Sequence, residues 1–257
     1  MRFCVLASGS QGNACYIETK GARILIDAGL SCREVVRRLD ALGVDPEGLD
    51  ALLITHEHID HIRGAGPLAR KFDLPVYLNS STMRKSIRVL GGVSRPVTIR
   101  TGEEITIHDL RIETFTKCHD AADPMGFVIS SGRLKLGLMT DLGRGTRVVV
   151  ERLKRCQSLI MEFNHDEAML EEGPYPLQLK RRIKGPDGHL SNKQAGELLS
   201  ALCHHDLQCV VLAHLSAINN TPEKALMEAT RALSKSRREG TDLIISHQDC
   251  PSPMITM

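Results

Sequence analysis

Thr55-His56-Glu57-His58-Ile59-Asp60-His61 follows directly on the apolar run Leu52-Leu53-Ile54. Three imidazoles and the Asp60 carboxylate therefore leave a strand-like segment within six residues. Imidazole nitrogen and carboxylate oxygen together suit Zn²⁺ and its first-row neighbours. One ion has no use for so many ligands from one short loop. His56 and His58, two apart, can turn toward one ion, while Asp60 and His61 project elsewhere and can hold a second. The spacing is not that of the helix-borne zinc motif H-E-x-x-H, because its fifth position is Asp60. The segment reads as half of a dinuclear hydrolytic centre.

Outward from that loop, short apolar strands alternate with helical stretches almost throughout, which predicts an α/β class with helices covering sheets. Strands are expected over 3–7, 15–18 and 23–27. Ser31-Cys32-Arg33-Glu34 then forms a capping box, with Val35, Val36, Leu39 and Leu42 on one helical stripe. A strand over 51–55 leads into the histidine loop, followed by a helix near 61–72 and a strand over 76–78. Segments 97–100, 104–108 and 110–116 read as a meander, with His108-Asp109 as a turn. Strands over 126–130 and 134–140, a helix over 144–155 and a strand over 158–162 come next. The last part reads as a helix over 192–203, a strand over 209–213, a helix to about residue 235 and a strand over 242–246. Thr221-Pro222-Glu223 opens that second helix with Pro at its first position. Residues 173–188, rich in Pro, Lys and Arg, read as the one long loop, and such loops are often functional.

A chain of 257 residues can bury a sizeable core, and one domain over 1–257 is expected. Hydrophobic content of 42% and charged content of 25% are ordinary for a globular protein. No run approaches the roughly 18 apolar residues of a membrane span. The apolar stretch over 3–8 is too short for a signal peptide, so a cytoplasmic location without membrane partners is the default expectation. The eight cysteines are scattered singly without a CxxC pair, and read as reduced core thiols. Strand alternation points Cys118 away from its neighbour His119, outside any site. A net charge of +2 neither demands nor excludes a polyanionic substrate. Aromatic content of 3% without Trp argues against an extended base-stacking platform. The sequence leaves room for a homo-oligomer.

Polar residues at strand ends are the places to seek further ligands. Asp27 ends Arg23-Ile24-Leu25-Ile26, His119 follows 112–117, Asp141 ends 136–140 and His214 ends Val210-Val211-Leu212-Ala213. Singly, a strand-terminal Asp is a turn residue and a strand-terminal His a satisfied polar group. Jointly, the early cluster with His119, Asp141 and His214 supplies the seven ligands two ions need if Asp141 bridges them.

This series resembles the metallo-β-lactamase superfamily: an Asp, then HxHxDH, then His, Asp and His, in strand contexts that match over nearly the whole chain. The resemblance implies an αββα sandwich, two mixed β-sheets packed face to face with helices outside. It implies that His56, His58 and His119 hold one ion, that Asp60, His61 and His214 hold the other, and that Asp141 lies between them. Asp27 would accept an N–H from a ligand histidine and fix its tautomer. Mixed ligation admits two divalent ions, Zn or Mn, with Fe also possible.

The superfamily hydrolyses β-lactams, thioesters, lactones and phosphodiesters, so fold does not decide substrate. Gly188-His189-Leu190-Ser191, Met161-Glu162-Phe163-Asn164-His165-Asp166 and His214-Leu215-Ser216 look like the region after the bridging Asp in ribonuclease Z-type phosphodiesterases. By that likeness His189 is a proton donor, joining Asp60 and Asp141 as catalytic candidates. The loop Ser8-Gly9-Ser10-Gln11-Gly12-Asn13 extends the likeness to the small YycJ/WalJ-like group, for which DNA exonuclease activity is described; as a plain reading it is a tight glycine turn. Ser8, Asn13, Asn164, His165, Lys180, Arg181, Arg182, Ser191 and Ser216 are the substrate-binding candidates, with the helix start at Ser191-Asn192 offering amides to a phosphate. Lys180-Arg181-Arg182 would meet a phosphate backbone, although a basic run is more often a solvated face. Arg231, Lys235, Arg237 and Arg238 read as an exposed helix face.

Two departures narrow the branch. No Gly/Pro-rich insertion supplies the tRNA-gripping arm of ribonuclease Z, and the span from Asp141 to Glu162 is too short for a β-CASP domain. The expected activity is metal-dependent phosphodiester hydrolysis on nucleic acid, most simply a DNA exonuclease. The rivals are a thioester or lactone hydrolase with the same ions, and a non-catalytic nucleic-acid-binding module with structural metals. Against the second, structural sites are usually closed and Cys-rich.

Overall fold

Strand by strand, pairing assigns the chain to two sheets in a computed structural model that describes residues 1–236 and 240–257. β1 (Arg2–Ala7), β2 (Ala14–Glu18) and β3 (Arg23–Ile26) run antiparallel. β3 then pairs in parallel with β4 (Ala51–Leu53), which continues through β5 (Pro75–Leu78) to β6 (Arg95–Thr98). In the second sheet β7 (Glu104–Ile107), β8 (Leu110–Thr116), β9 (Met125–Ser131) and β10 (Leu134–Met139) are antiparallel. β11 (Ser158–Glu162), β12 (Cys209–Ala213) and β13 (Asp242–Ile245) extend it in parallel. β14 (Ile255–Thr256) closes the outer edge of β1, so among the described residues each sheet has seven strands.

Helices connect the parallel strands, as parallel pairing requires. α1 (Cys32–Ala41), α2 (Ile59–Ile62), α3 (Ala65–Phe72) and α4 (Ser80–Leu90) serve the first sheet. α5 (Arg147–Leu153), α6 (Glu167–Glu172), α7 (Leu177–Lys184), α8 (Asn192–Leu202) and α9 (Pro222–Lys235) serve the second. Phe3, Ile17, Ile24 and Leu53 share one apolar layer with Ile112, Phe127, Leu138 and Val211 between the sheets. Leu25, Leu52 and Val76 lie under Val35, Leu39 and Leu68, and Leu159 and Val210 under Leu153, Leu199 and Ala229. The result is the αββα sandwich. Strands covered on both faces carry unbroken apolar runs such as Val210-Val211-Leu212 rather than alternation.

Several expectations are corrected. Residues 95–98 do not belong to the meander: they join the first sheet beside β5, carried there by α4. The exposed Ile87 and Val89 blur the apolar stripe that would announce α4. The stretch 173–188 is not one loop, because it contains α7, a helix with no fully buried side chain and so no core stripe to read. The helix expected near 61–72 is broken into α2 and α3 at Gly64, where a Cβ would lie 2.2 Å from the Leu30 carbonyl oxygen. Ser31 caps α1 by accepting from the Glu34 amide, but Glu34 turns its carboxylate to Arg37 and Arg38 instead of back to the cap. Cys4, Cys15, Cys156 and Cys209 are buried thiols outside any disulfide. Arg231 and Lys235 lie on α9, whereas Arg237 and Arg238 fall outside the described residues. Among the described residues no helix is long and apolar enough to cross a membrane.

Arg38 is buried, and its guanidinium joins three segments. It donates to the carbonyls of Leu6, Gln248 and Asp249 and pairs with Glu34 at 2.7 Å. Hydrogen bonds from Arg37 and Arg38 hold the Glu34 carboxyl down to about 2. Glu34→Gln is expected to lower stability at neutral pH by about 1 kcal/mol, allowing for the part of Glu34 in solvent. A carboxylate with a depressed folded pKa stabilises above its unfolded value and loses that contribution as it protonates. The gap between wild type and variant in urea midpoint should therefore close as pH falls from about 4.5 toward about 2. A gap independent of pH would rule out this carboxylate as its source.

Candidate metal centre

Three strands end in the same unusual way. Asp27 after β3, Asp141 after β10 and His214 after β12 have φ of 60°, 55° and 55°. Outside glycine this left-handed backbone costs about 1–2 kcal/mol. It turns the chain sharply at the sheet edge and swings the side chain off the strand. At His214 the surroundings hold the conformation: its amide donates to Ser8 Oγ at 2.7 Å and its carbonyl accepts from Asn164 Nδ2 at 3.0 Å. The loop after β4 brings His56 and His58 to the same edge, and the first turn of α2 brings Asp60 and His61.

One group of imidazoles converges tightly. His56 Nε2 and His119 Nε2 each lie 3.1 Å from His58 Nδ1. Burial pushes the His56 pKa well down and that of His119 down to about 3, so both rings are neutral. Converging lone pairs repel unless something positive sits among them. Their spacing is close to the roughly 3.3 Å edge of a tetrahedron built with metal–nitrogen bonds of about 2.0–2.1 Å.

Beside that group lies a second. Asp141 Oδ1 is 3.4 Å from His214 Nε2 and 3.9 Å from His119 Nε2, while Oδ2 is 3.1 Å from His61 Nε2. Asp60 Oδ2 lies 3.5 Å from His61 Nε2. Asp27 Oδ2 is 2.7 Å from His61 Nδ1 and accepts from Thr55 Oγ1 at 2.8 Å, and Asp27 Oδ1 accepts from the Thr55 amide. A neutral His61 that donates from Nδ1 to Asp27 presents a lone pair at Nε2.

These residues fit divalent cations. Asp141 Oδ2 is buried without a hydrogen-bond partner, since its approach to His61 lacks the alignment of one. Burial opposes charge on His61, but Asp141 and Asp27 outweigh it and hold that ring's pKa well above the usual value. In the protein alone a proton supplies the positive charge these carboxylates demand. A cation held by the same atoms would supply it instead.

Residues 22–214 match the β-lactamase superfamily domain. The chain belongs to the metallo-β-lactamase superfamily. Within it, the chain is 36% identical over 237 residues to a Bacillus anthracis protein named exodeoxyribonuclease YycJ, covering 91% of this chain and 90% of that one. It is also 36% identical over 239 residues to a Streptococcus pneumoniae protein named exodeoxyribonuclease WalJ, covering 91% and 89%. Among solved structures, the metallo-β-lactamase fold protein YhfI from Bacillus subtilis superposes with a TM-score of 0.73, at 15% identity, over 97% of this chain and 98% of that one.

Around these converging donors the other candidates separate. A cavity of about 190 Å³ opens beside it, lined by Asn164, Arg182, His189, His214 and Ser216 among others. Ser8 and Asn13, expected at the substrate, are buried beneath the site and brace its side chains. Asn13 Nδ2 donates to Asp60 Oδ2 at 3.2 Å, and Asn13 Oδ1 faces His214 Nδ1 at 3.2 Å. His165 and Ser191 border a different hollow, with Glu167 and Lys184. The start of α8 is already satisfied: Ser191 and Gln194 form a capping box, and the Asn192 amide donates to the His165 carbonyl. Lys180 is occupied with the Glu171 carbonyl and Arg181 is exposed, so of the basic run only Arg182 reaches the cavity.

Sequence reading passed over several residues here. Glu162 is fully buried at the end of β11; its Oε1 holds His189 Nδ1 at 2.7 Å and its Oε2 accepts from the Leu142 amide. Burial works against His189's charge, but Glu162, with Asp141 and Asp120, outweighs it and lifts the ring to about 9. The signal was available, because Glu162 ends a strand as Asp141 does. Lys117, buried with Nζ donating to the Thr140 carbonyl, has its pKa pushed down by burial against the pull of Asp141 and Asp27. Asp120 lies 3.5 Å from His119 Nε2 and pairs with Arg182. Cys118 accepts from Arg144 Nε and takes no part in the cluster.

Proposed function

We propose that this chain is a metal-dependent phosphodiesterase acting as an exodeoxyribonuclease, with residues 1–257 working as one unit. The observation that carries the reading is 36% identity over 91% of the chain to proteins named exodeoxyribonucleases. The convergent histidine and aspartate donors supply the chemistry. His56, His58 and His119 would hold one divalent ion and Asp60, His61 and His214 a second, with Asp141 within reach of both sets. Zn or Mn suits this ligand set, and Fe is compatible with it. When bound, such ions act as Lewis acids that make water nucleophilic near neutral pH and offset charge on phosphoryl oxygens.

The protein's own groups do the rest. Asp27 accepts a hydrogen bond from Nδ1–H of His61, which leaves Nε2 for ligation. Asp60 or Asp141 accepts a hydrogen bond from the attacking water and aims it at phosphorus. His189, with Nδ1 held by Glu162, presents its other nitrogen as proton donor to the departing oxygen or as hydrogen-bond donor to the phosphoryl group. Asp27→Asn should weaken metal retention about 10–100-fold. Competition with a chelator measures it, and unchanged retention would exclude the orienting role.

The test of function is a panel of end-labelled single- and double-stranded DNA and RNA with Zn²⁺, Mn²⁺ or chelator. A stepwise ladder from a DNA end, lost with chelator, is expected. Turnover of an acyl thioester with every nucleic acid left intact would overturn the reading.

A further inference from the structure

The cavity beside the proposed centre has a wall that metal chemistry does not need. Leu179 and Ile183, one turn apart on α7, line it together with Tyr175, just before the helix, and Leu215, just after β12. His189 and His214 line it too, so it opens onto the proposed reaction site. α7 is tied in place: Arg182 pairs with Asp120, whose amide donates to the Asp187 carbonyl at 2.9 Å. Asp120 neighbours His119, so the wall is held in register with the donor cluster.

Tyr175 stands out against the chain's other aromatics. Phe3, Tyr16, Phe115, Phe127 and Phe163 are wholly buried, and Phe72 and Tyr77 pack against the apolar layers. Only Tyr175 among them lines this cavity, half-buried and without a place in any core cluster. A surface that carries a running single strand needs several such rings. One ring serves one base. The volume agrees: about 190 Å³ is less than drug-sized ligands occupy, whose pockets run to roughly 300–1,000 Å³. Polar groups on the same lining suit the edge of a base. Ser216 Oγ accepts from the Asn219 amide at 3.1 Å, which leaves its O–H free to donate.

We propose that this cavity is the site for the base of the terminal nucleotide, stacked on Tyr175 and packed against Leu179 and Ile183. It rests on the nuclease reading above and deepens it, because a site for one base beside the metals seats a strand end. Recognition by ring stacking is tolerant of base identity, since every base has a π-face.

Equilibrium binding of deoxyadenosine monophosphate and of deoxyribose phosphate to the metal-loaded protein isolates the base from the phosphate. Wild type should prefer the nucleotide by roughly 5- to 150-fold, the range of one base–aromatic stack. Tyr175→Ala should bring the ratio close to one, while Tyr175→Phe should keep it. In DNA degradation Tyr175→Ala should raise KM by a similar factor and leave kcat little changed. Equal binding of the two probes by wild type, or a ratio that survives Tyr175→Ala, overturns the base site even if DNA is cut. Wild type that cuts no DNA overturns the nuclease reading instead, and the binding ratio then decides the base site alone.

Discussion

His58→Ala is expected to lower DNA hydrolysis by at least about 10³-fold while melting close to wild type. The two halves of that result have separate causes. His58 is partly exposed, and its contacts are with His56, His119 and, at 3.9 Å, Asp120. It belongs to none of the apolar layers, so its removal leaves no core cavity. What it removes is one of three nitrogens that converge on a common point. Metal content by atomic absorption, turnover on end-labelled DNA and a thermal melt check the prediction together. Retained hydrolysis would show that His58 is not a ligand. Asp141→Ala should lose activity equally but melt lower, because it strips the buried partner from His61 and His214.

His189→Ala should slow turnover by roughly 10²–10⁴-fold, the range for a positioned proton donor, with metal content unchanged. Metal content carries the argument. The ligand-type atoms of Asp141, His189 and His214 lie within 4.8 Å of one another, so His189 is near enough to be a ligand itself. Its Nδ1 is engaged by the buried Glu162 carboxylate at 2.7 Å, the arrangement of a histidine held in one orientation. If His189→Ala lost an ion as well as activity, the donor role would fail and His189 would join the ligands. Glu162→Gln should reproduce a milder form of the same defect, since its Oε2 contact with the Leu142 amide can persist.

Much of the donor inventory is legible in the sequence. His56, His58, Asp60 and His61 form a dense local pattern, and Asp27, His119, Asp141 and His214 each follow an apolar run. The roles given to neighbouring polar residues were less legible. Ser8 and Asn13 looked like substrate contacts because they sit in a glycine loop, yet their hydrogen bonds go inward, to His214 and Asp60. Lys180 and Arg182 are two apart and identical in charge class, but only Arg182 faces the cavity. α7 itself was invisible, because a helix without buried residues has no stripe to betray it.

Local order along the chain thus carried the α/β class, the apolar strands and the types of atom available to a cation. Pairing of β6 with β5, the burial of Glu162 under His189 and the neighbourhood of Tyr175 came only with the folded chain. The reason is geometric. Which strand neighbours which, and where a left-handed residue such as Asp141 swings its side chain, depend on contacts between segments far apart in sequence, and no local periodicity records them.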